Sequence, residues 1–249
     1  MIPKIIHFCW FGGKPKPKLA EMCMKSWKRF CPDYAIKEWN ETNYDISTAP
    51  LYVQQAYAAK KWAFVTDFVR LDVVYNHGGI YLDTDVELLK NIDFLLDNTA
   101  YFGFEDENLI NTGLGFGAEK GAGILKELMD DYRDVPFIKA DGSFDLTPCP
   151  KRNTKIFLRH ALRQDNSGQL LDGKIKILPP LFLCPVNDST GTKTITAETV
   201  SIHHFAASWE TKTRILRKYF VRYMRPLLPV FEKLLGRELM EKLKEMTRR

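Results

Sequence analysis

An α/β fold with a mostly parallel central sheet and flanking helices is what the order of patterns along these 249 residues predicts. Three observations carry it. Short apolar runs of strand length alternate with stretches of helical periodicity. A chain that is 45% hydrophobic and 27% charged has ordinary globular proportions, at a length that a single α/β domain of roughly 200–250 residues fills. No internal repeat or low-complexity segment points to a solenoid or a disordered chain.

Residues 4–10 form an apolar run with Ile5, Ile6 and Phe8, closed by Gly12-Gly13, and read as a buried first strand entering a loop. In 19–30, Leu19, Met22, Cys23, Trp27 and Phe30 recur at three- and four-residue steps until Pro32 stops them, which predicts a helix; 34–39 reads as a second strand. Residues 56–76 hold no Gly or Pro and carry Phe64, Val65, Phe68, Leu71, Val74 and Tyr75 at helical spacing, with Gly78 where a C-terminal cap belongs. One long helix is expected there. Strands are expected at 80–82, 86–89, 100–104, 114–116, 175–178 and 200–205, and helices at 123–132 and 154–163. Residues 136–153, with three prolines and a glycine, read as an irregular surface loop of the kind that makes variable substrate contacts.

The net charge of +5 is unevenly spread: residues 211–249 hold 12 Lys/Arg against 4 Asp/Glu, while the remainder holds 24 against 27. The domain division expected is therefore a catalytic domain over 1–210 and a basic amphipathic helical tail over 211–249. In the tail, Ile215, Leu216, Tyr219, Phe220, Tyr223 and Met224 are interleaved with Arg214, Arg217, Lys218, Arg222 and Arg225, a pattern suited to an anionic membrane surface. A helix packed on the domain with a solvated basic face has the same pattern. No apolar run reaches the ~18 residues a membrane span needs, and the first 13 residues lack a signal peptide's apolar region, so a cytoplasmic protein, peripheral at the inner face of the cell membrane, is expected. The five cysteines include no C-x-x-C pair, and reduced, packed thiols are expected.

The chemistry-bearing stretch is Gly78-Gly79-Ile80-Tyr81-Leu82-Asp83-Thr84-Asp85. Two carboxylates one residue apart at a strand end can converge on one divalent cation, and hard oxygen ligands suit Mg²⁺ or Mn²⁺, with substrate phosphate completing the shell. An isolated D-x-D is a weak signal, because acidic turns are common on surfaces. Its context strengthens it: Asp67 and Arg70, three residues apart, share a face of the helix that feeds the turn, where a carboxylate suits sugar or ribose hydroxyls and a guanidinium suits phosphate. A plain helix-surface ion pair is the competing explanation. Gly113, Gly115 and Gly117 do not form G-x-G-x-x-G, and no nucleotide-binding G-x-x-x-x-G-K-[ST] loop is present. No nucleic-acid motif is present either, and no nucleic-acid partner is expected.

The assembled pattern over 62–85, Trp-Ala-Phe-Val-Thr-Asp-Phe-Val-Arg through to Asp83-Thr84-Asp85, closely resembles glycosyltransferase family 32. This family of DXD-containing sugar transferases includes capsular and exopolysaccharide enzymes, fungal initiating mannosyltransferases and, more distantly, glucosylating toxins. Residues 5–13, Asn111-Thr112-Gly113 and His203-His204-Phe205-Ala206-Ala207-Ser208-Trp209 extend the resemblance; Ala207 stands where relatives often have Gly. The resemblance implies a GT-A type nucleotide-sugar-binding fold and a retaining hexosyltransferase that uses a nucleotide sugar, UDP-linked by preference, with Mn²⁺ or Mg²⁺. It implies that Trp10 stacks on the nucleobase with Phe8 also in the donor-binding set, although Trp10 at a strand end equally suits core filling. It implies that Asp67 and Arg70 contact donor sugar and phosphate, that Asp83 meets the ribose and the metal's water shell, that Asp85 ligates the metal, and that Asn111 lies beside the reacting sugar. His203 completes the metal or diphosphate site, with His204 and Ser208 as alternatives, and Ser208 and Trp209 close over the leaving diphosphate. Asp85, Asn111 and Arg70 are thus the expected catalytic set.

His203 and His204 would point to opposite faces of a strand, so only one is expected at the metal. With no evident Asp or Glu at the Asn111 position, front-face displacement is expected in preference to a covalent glycosyl intermediate. The acceptor expected is a saccharide, lipid-linked, in capsular or extracellular polysaccharide synthesis. Two alternatives use the same residues: a metal-dependent nucleotidyl or phosphoryl transferase, and a non-catalytic membrane-surface binding protein.

Overall fold

The computed structural model describes residues 1–105, 108–187 and 192–206. Its strands are β1 (Ile5–Cys9), β2 (Ala35–Trp39), β3 (Gly79–Tyr81), β4 (Val86–Leu88), β5 (Ala100–Glu105), β6 (Leu109–Ile110), β7 (Phe116–Ala118), β8 (Gln169–Leu171), β9 (Ile175–Leu178) and β10 (Ser201–His203). Its helices are α1 (Lys18–Phe30), α2 (Leu51–Ala58), α3 (Trp62–His77), α4 (Gly123–Asp130), α5 (Cys149–Phe157) and the short α6 (Pro180–Leu183). The main sheet runs β2-β1-β3-β7-β5-β9-β8, with β6 paired to β5. Strands β2, β1, β3, β5 and β9 point one way, and β7 and β8 run against them. The mixed α/β architecture with a mostly parallel sheet and flanking helices is the one the alternating pattern predicts.

Successive strand residues serve opposite faces, as the pleat requires. Ile80 joins one hydrophobic cluster with Trp27, Val86 and Val200, while Tyr81 joins the other with Tyr52, Phe68, Leu125 and Phe157. On the first face α1 buries Ala20, Cys23 and Trp27. The Trp27 indole N–H donates to Val86 O (2.7 Å) and the Ser26 hydroxyl accepts from Leu88 N–H (2.9 Å), which fixes β4 to α1 immediately after the acidic turn. On the second face α3 is buried nearly all round, including the polar Asp67 and Arg70. All five cysteines are buried.

Helix α3 ends at Gly78, whose φ is +66° and whose N–H donates to Val74 O (2.7 Å). At Gly79 (φ +111°) a Cβ would lie 2.7 Å from Ile5 O, so only glycine lets β3 begin against β1. Residues 1–186 and 193–206 form one compact unit, and no helix among the described residues is long and apolar enough to cross a membrane.

Four expectations are corrected. The helix foreseen over 56–76 is two helices. The Lys60 N–H donates to Tyr57 O (2.9 Å) and the Lys61 N–H to Ala56 O (2.8 Å) around a left-handed Lys60 (φ +56°), a Schellman stop made without glycine. The strand foreseen at 114–116 is a 3₁₀ turn, Thr112–Leu114, followed by β7, because the Asn111 side chain caps the turn. The helix foreseen at 154–163 starts five residues earlier, at Cys149 with a proline in its first turn, and stops before the left-handed Ala161 (φ +58°). The loop foreseen over 136–153 therefore ends in helix, and much of it is structural: Phe137 is fully buried, and Arg152 pairs with Asp131 and Asp145 while lying over the Tyr52 and Tyr132 rings. The basic tail and the Ser208-Trp209 pair lie outside the described residues.

Candidate functional site

Strands β1, β2 and β3 are parallel, so their C-terminal ends open on one edge of the sheet, and the acidic turn leaves β3 at that edge. The antiparallel ribbon of β4 and β10 then completes the site. Its register sets His203 opposite Val86, the residue after Asp85. His203 Nε2 lies 3.3 Å from Asp85 Oδ1, and Asp85 Oδ2 accepts from the Ala206 N–H (2.8 Å). One ligand atom each from Asp83, Asp85 and His203 lie within 4.8 Å of one another. His204 turns away and pairs through Nε2 with Glu87 (2.9 Å), so the strand alternation expected of the two histidines places His203 in the cluster.

Arg70 links this cluster to α3. Its guanidinium bonds Asp67 through Nη2, and Nη1 lies 3.5 Å from Asp83 Oδ2 with no hydrogen bond of its own, although buried. Its Nε donates to Thr66 O (3.0 Å), and its guanidinium carbon lies 5.5 Å from the Tyr81 ring centre. The Tyr81 hydroxyl donates to Asp83 Oδ1 (2.9 Å). A Cβ on Gly113 would stand 2.7 Å from Asp83 Oδ2 and 3.2 Å from Arg70 Nη1, so the Asn111-Thr112-Gly113 turn closes directly on the acidic turn.

The charges are unequally poised. Burial alone would raise the Asp85 carboxyl, but the His203 imidazole and the Ala206 N–H outweigh it and hold Asp85 well below the usual carboxylate range. Burial would lower His203, and Asp85 outweighs that and raises it. Burial pushes Asp83 up against the pull of Arg70, and pushes Asp67 to about 6. Two carboxylates and an imidazole form a donor set that could hold a divalent metal ion, and the uncommitted Arg70 Nη1 beside it is a ready donor for an anionic ligand.

Among the other donor-binding candidates, Trp10 is half-buried, its indole N–H donates to Lys14 O (2.6 Å), and Lys16 sits 5.9 Å from its ring centre. Phe8 is 3% exposed and packed against Trp27, which leaves almost none of its ring for a ligand. Asn111 is buried beside Glu105 and Cys149. Position 111 itself carries no carboxylate, and Glu105, at the end of β5, holds the Asn111 amide (2.5 Å).

Residues 17–102 match the family model described as a glycosyltransferase sugar-binding region containing the DXD motif. The chain is similar to an uncharacterized glycosyltransferase, L373, of Acanthamoeba polyphaga mimivirus: 33% identity over 105 residues, 38% of this chain and 40% of that protein. It is similar to inositol phosphoceramide mannosyltransferase 3 of Schizosaccharomyces pombe: 31% identity over 103 residues, 40% of this chain and 29% of that protein. The matches thus span less than half the length of these two curated relatives. Among solved structures, the PaToxG glycosyltransferase aligns with a TM-score of 0.49 at 18% identity, over 64% of this chain and 68% of that one. A glycosyltransferase involved in the glycosylation of the major capsid of PBCV-1 aligns with a TM-score of 0.46 at 14% identity, over 88% and 100%. Asp83-Thr84-Asp85 is a D-x-D sequence that lies inside the 17–102 match to the DXD-containing sugar-binding region.

Proposed function

We propose that the chain is a metal-dependent, retaining hexosyltransferase of the GT-A type. It moves a hexose from a nucleotide sugar, UDP-linked by preference, to a saccharide acceptor, lipid-linked and destined for capsular or extracellular polysaccharide. The observation that carries this reading is the convergence of Asp83, Asp85 and His203 within 4.8 Å, with Arg70 Nη1 beside Asp83, inside a chain that bears the DXD region.

In this reading Asp83, Asp85 and His203 hold Mn²⁺ or Mg²⁺, which when bound neutralises charge on the departing nucleoside diphosphate. Arg70, braced by Asp67 and Asp83, gives Nη1 to a diphosphate oxygen, and being fixed before substrate arrives it needs little reorganisation during transfer. Trp10, tethered through its indole N–H, offers a ring face to the base. The acceptor hydroxyl attacks on the face from which the diphosphate leaves, and its proton passes to a departing phosphate oxygen, so no side-chain base is required. Ser208 and Trp209 are assigned to closing over the diphosphate, and residues 211–249 to holding the domain at the inner face of an anionic membrane.

The test is a panel of UDP- and GDP-hexoses, GDP-mannose included, incubated with and without Mn²⁺. Metal-dependent release of nucleoside diphosphate is expected, and Asp85→Ala abolishes it. NMR of the transferred sugar gives the donor's anomeric configuration; an inverted linkage overturns the retaining step, and no turnover of any donor overturns the transferase reading.

A further inference from the structure

Glu105 belongs to no motif in the sequence, and it lies outside the Asp83, Asp85 and His203 cluster. Its Oε2 accepts from Asn111 Nδ2 at 2.5 Å. On the other side of the carboxamide, Asn111 Oδ1 accepts from the Gly113 N–H (2.6 Å) and from the Cys149 thiol (3.4 Å). A carboxylate only accepts and a backbone N–H only donates, so these partners fix which end of the amide is which. A side-chain amide has two N–H donors and two acceptor lone pairs. Both lone pairs and one N–H are committed, which leaves Asn111 a single N–H. That group sits close to the acidic turn, since a Cβ on Gly113 would lie 3.0 Å from Asn111 Oδ1 and 2.7 Å from Asp83 Oδ2.

We infer that Glu105 is a positioning residue for sugar transfer: it locks the Asn111 carboxamide so that the site presents one fixed N–H donor, and no acceptor, to an oxygen of the transferred sugar. This rests on the transferase reading above. The carboxylate makes the shortest of the bonds that hold the amide, and loss of it frees the N–H end to swing. An orienting group of this kind acts on turnover more than on donor binding.

The test is a double-mutant cycle on Mn²⁺-dependent hydrolysis of whichever of UDP-glucose, UDP-galactose, UDP-N-acetylglucosamine or GDP-mannose is turned over fastest. Glu105→Ala is expected to lower kcat about 100-fold with KM changed less than about threefold. Glu105→Gln, whose carbonyl still accepts from Asn111, recovers about tenfold of that loss. In an Asn111→Ala background Glu105→Ala adds less than about twofold, because its effect passes through Asn111. Stabilisation by UDP with Mn²⁺ stays as in the wild type, which shows a folded variant with its diphosphate site intact; if Glu105→Ala does not fold, the cycle is run with Glu105→Gln. Losses that multiply, or full turnover by Glu105→Ala, overturn the inference and leave the transferase reading standing. A wild type that turns over none of the four donors overturns the transferase reading and this inference with it.

Discussion

His203 Nε2 lies 3.3 Å from Asp85 Oδ1, a contact made by the register of β10 on β4. His204, the next residue, points the other way onto Glu87. The two histidines are therefore unequal: one joins the Asp83 and Asp85 carboxylates and the other pairs with Glu87. His203→Ala is expected to weaken Mn²⁺-supported UDP binding by about tenfold or more, some 1.4 kcal/mol, and His204→Ala by about twofold or less. Titration calorimetry of both variants checks this, and equal losses would contradict the assignment.

Arg70 is buried between Asp67 and Asp83, and its removal strands Asp67 in the core. Arg70→Met is expected to cost about 3–5 kcal/mol of unfolding free energy, the usual penalty for breaking a buried pair from one side. Arg70→Lys keeps the charge but not the fork that reaches both carboxylates, so it should recover only part of that stability and little donor binding. Urea unfolding of both variants measures the first claim, and a loss under about 1 kcal/mol for Arg70→Met would refute it.

His7 is buried in β1, where Nε2–H donates to Gly78 O (2.9 Å) and Nδ1 accepts from the Trp39 indole (3.0 Å). The neutral ring is satisfied at both nitrogens, and burial lowers its pKa from 6.5 to about 4. Between those values the unfolded chain binds a proton that the folded chain refuses. Stability is therefore complete above about pH 6.5 and falls as pH drops toward 4, by about 3 kcal/mol in all. His7→Gln, which can still donate to Gly78, should show a shallower decline of melting temperature over that window. Parallel curves for wild type and variant would rule His7 out as the source.

Local chemistry made part of the site readable. The stretch 62–77 announces itself by helical spacing without Gly or Pro and by Gly78 as its stop, and once that helix is placed, Asp67, Arg70 and the acidic turn follow in order. The break at Lys60 was invisible because a lysine, not a glycine, takes the left-handed position there. The meeting of His203 with Asp85 depends on a three-residue ribbon between distant segments, which no periodicity encodes; only the resemblance pointed to it. Glu105 escaped for a similar reason. The expected strand ended at Phe104, and the partner that turns the chain back to bring Asn111 beside Glu105 is the two-residue β6, too short to leave a pattern. Phe8, read from the sequence as a donor-site residue, packs its ring against Trp27, a contact no strand pattern encodes.

Thermal unfolding with UDP decides whether Asp83, Asp85 and His203 form a metal and diphosphate site. With Mn²⁺ present and UDP at about 100 times its dissociation constant, the wild type should gain about 2.7 kcal/mol of stability. UDP without Mn²⁺ should give little of that gain, and Asp85→Ala should lose it. An equal shift in Asp85→Ala, or a wild-type shift indifferent to Mn²⁺, would contradict the account.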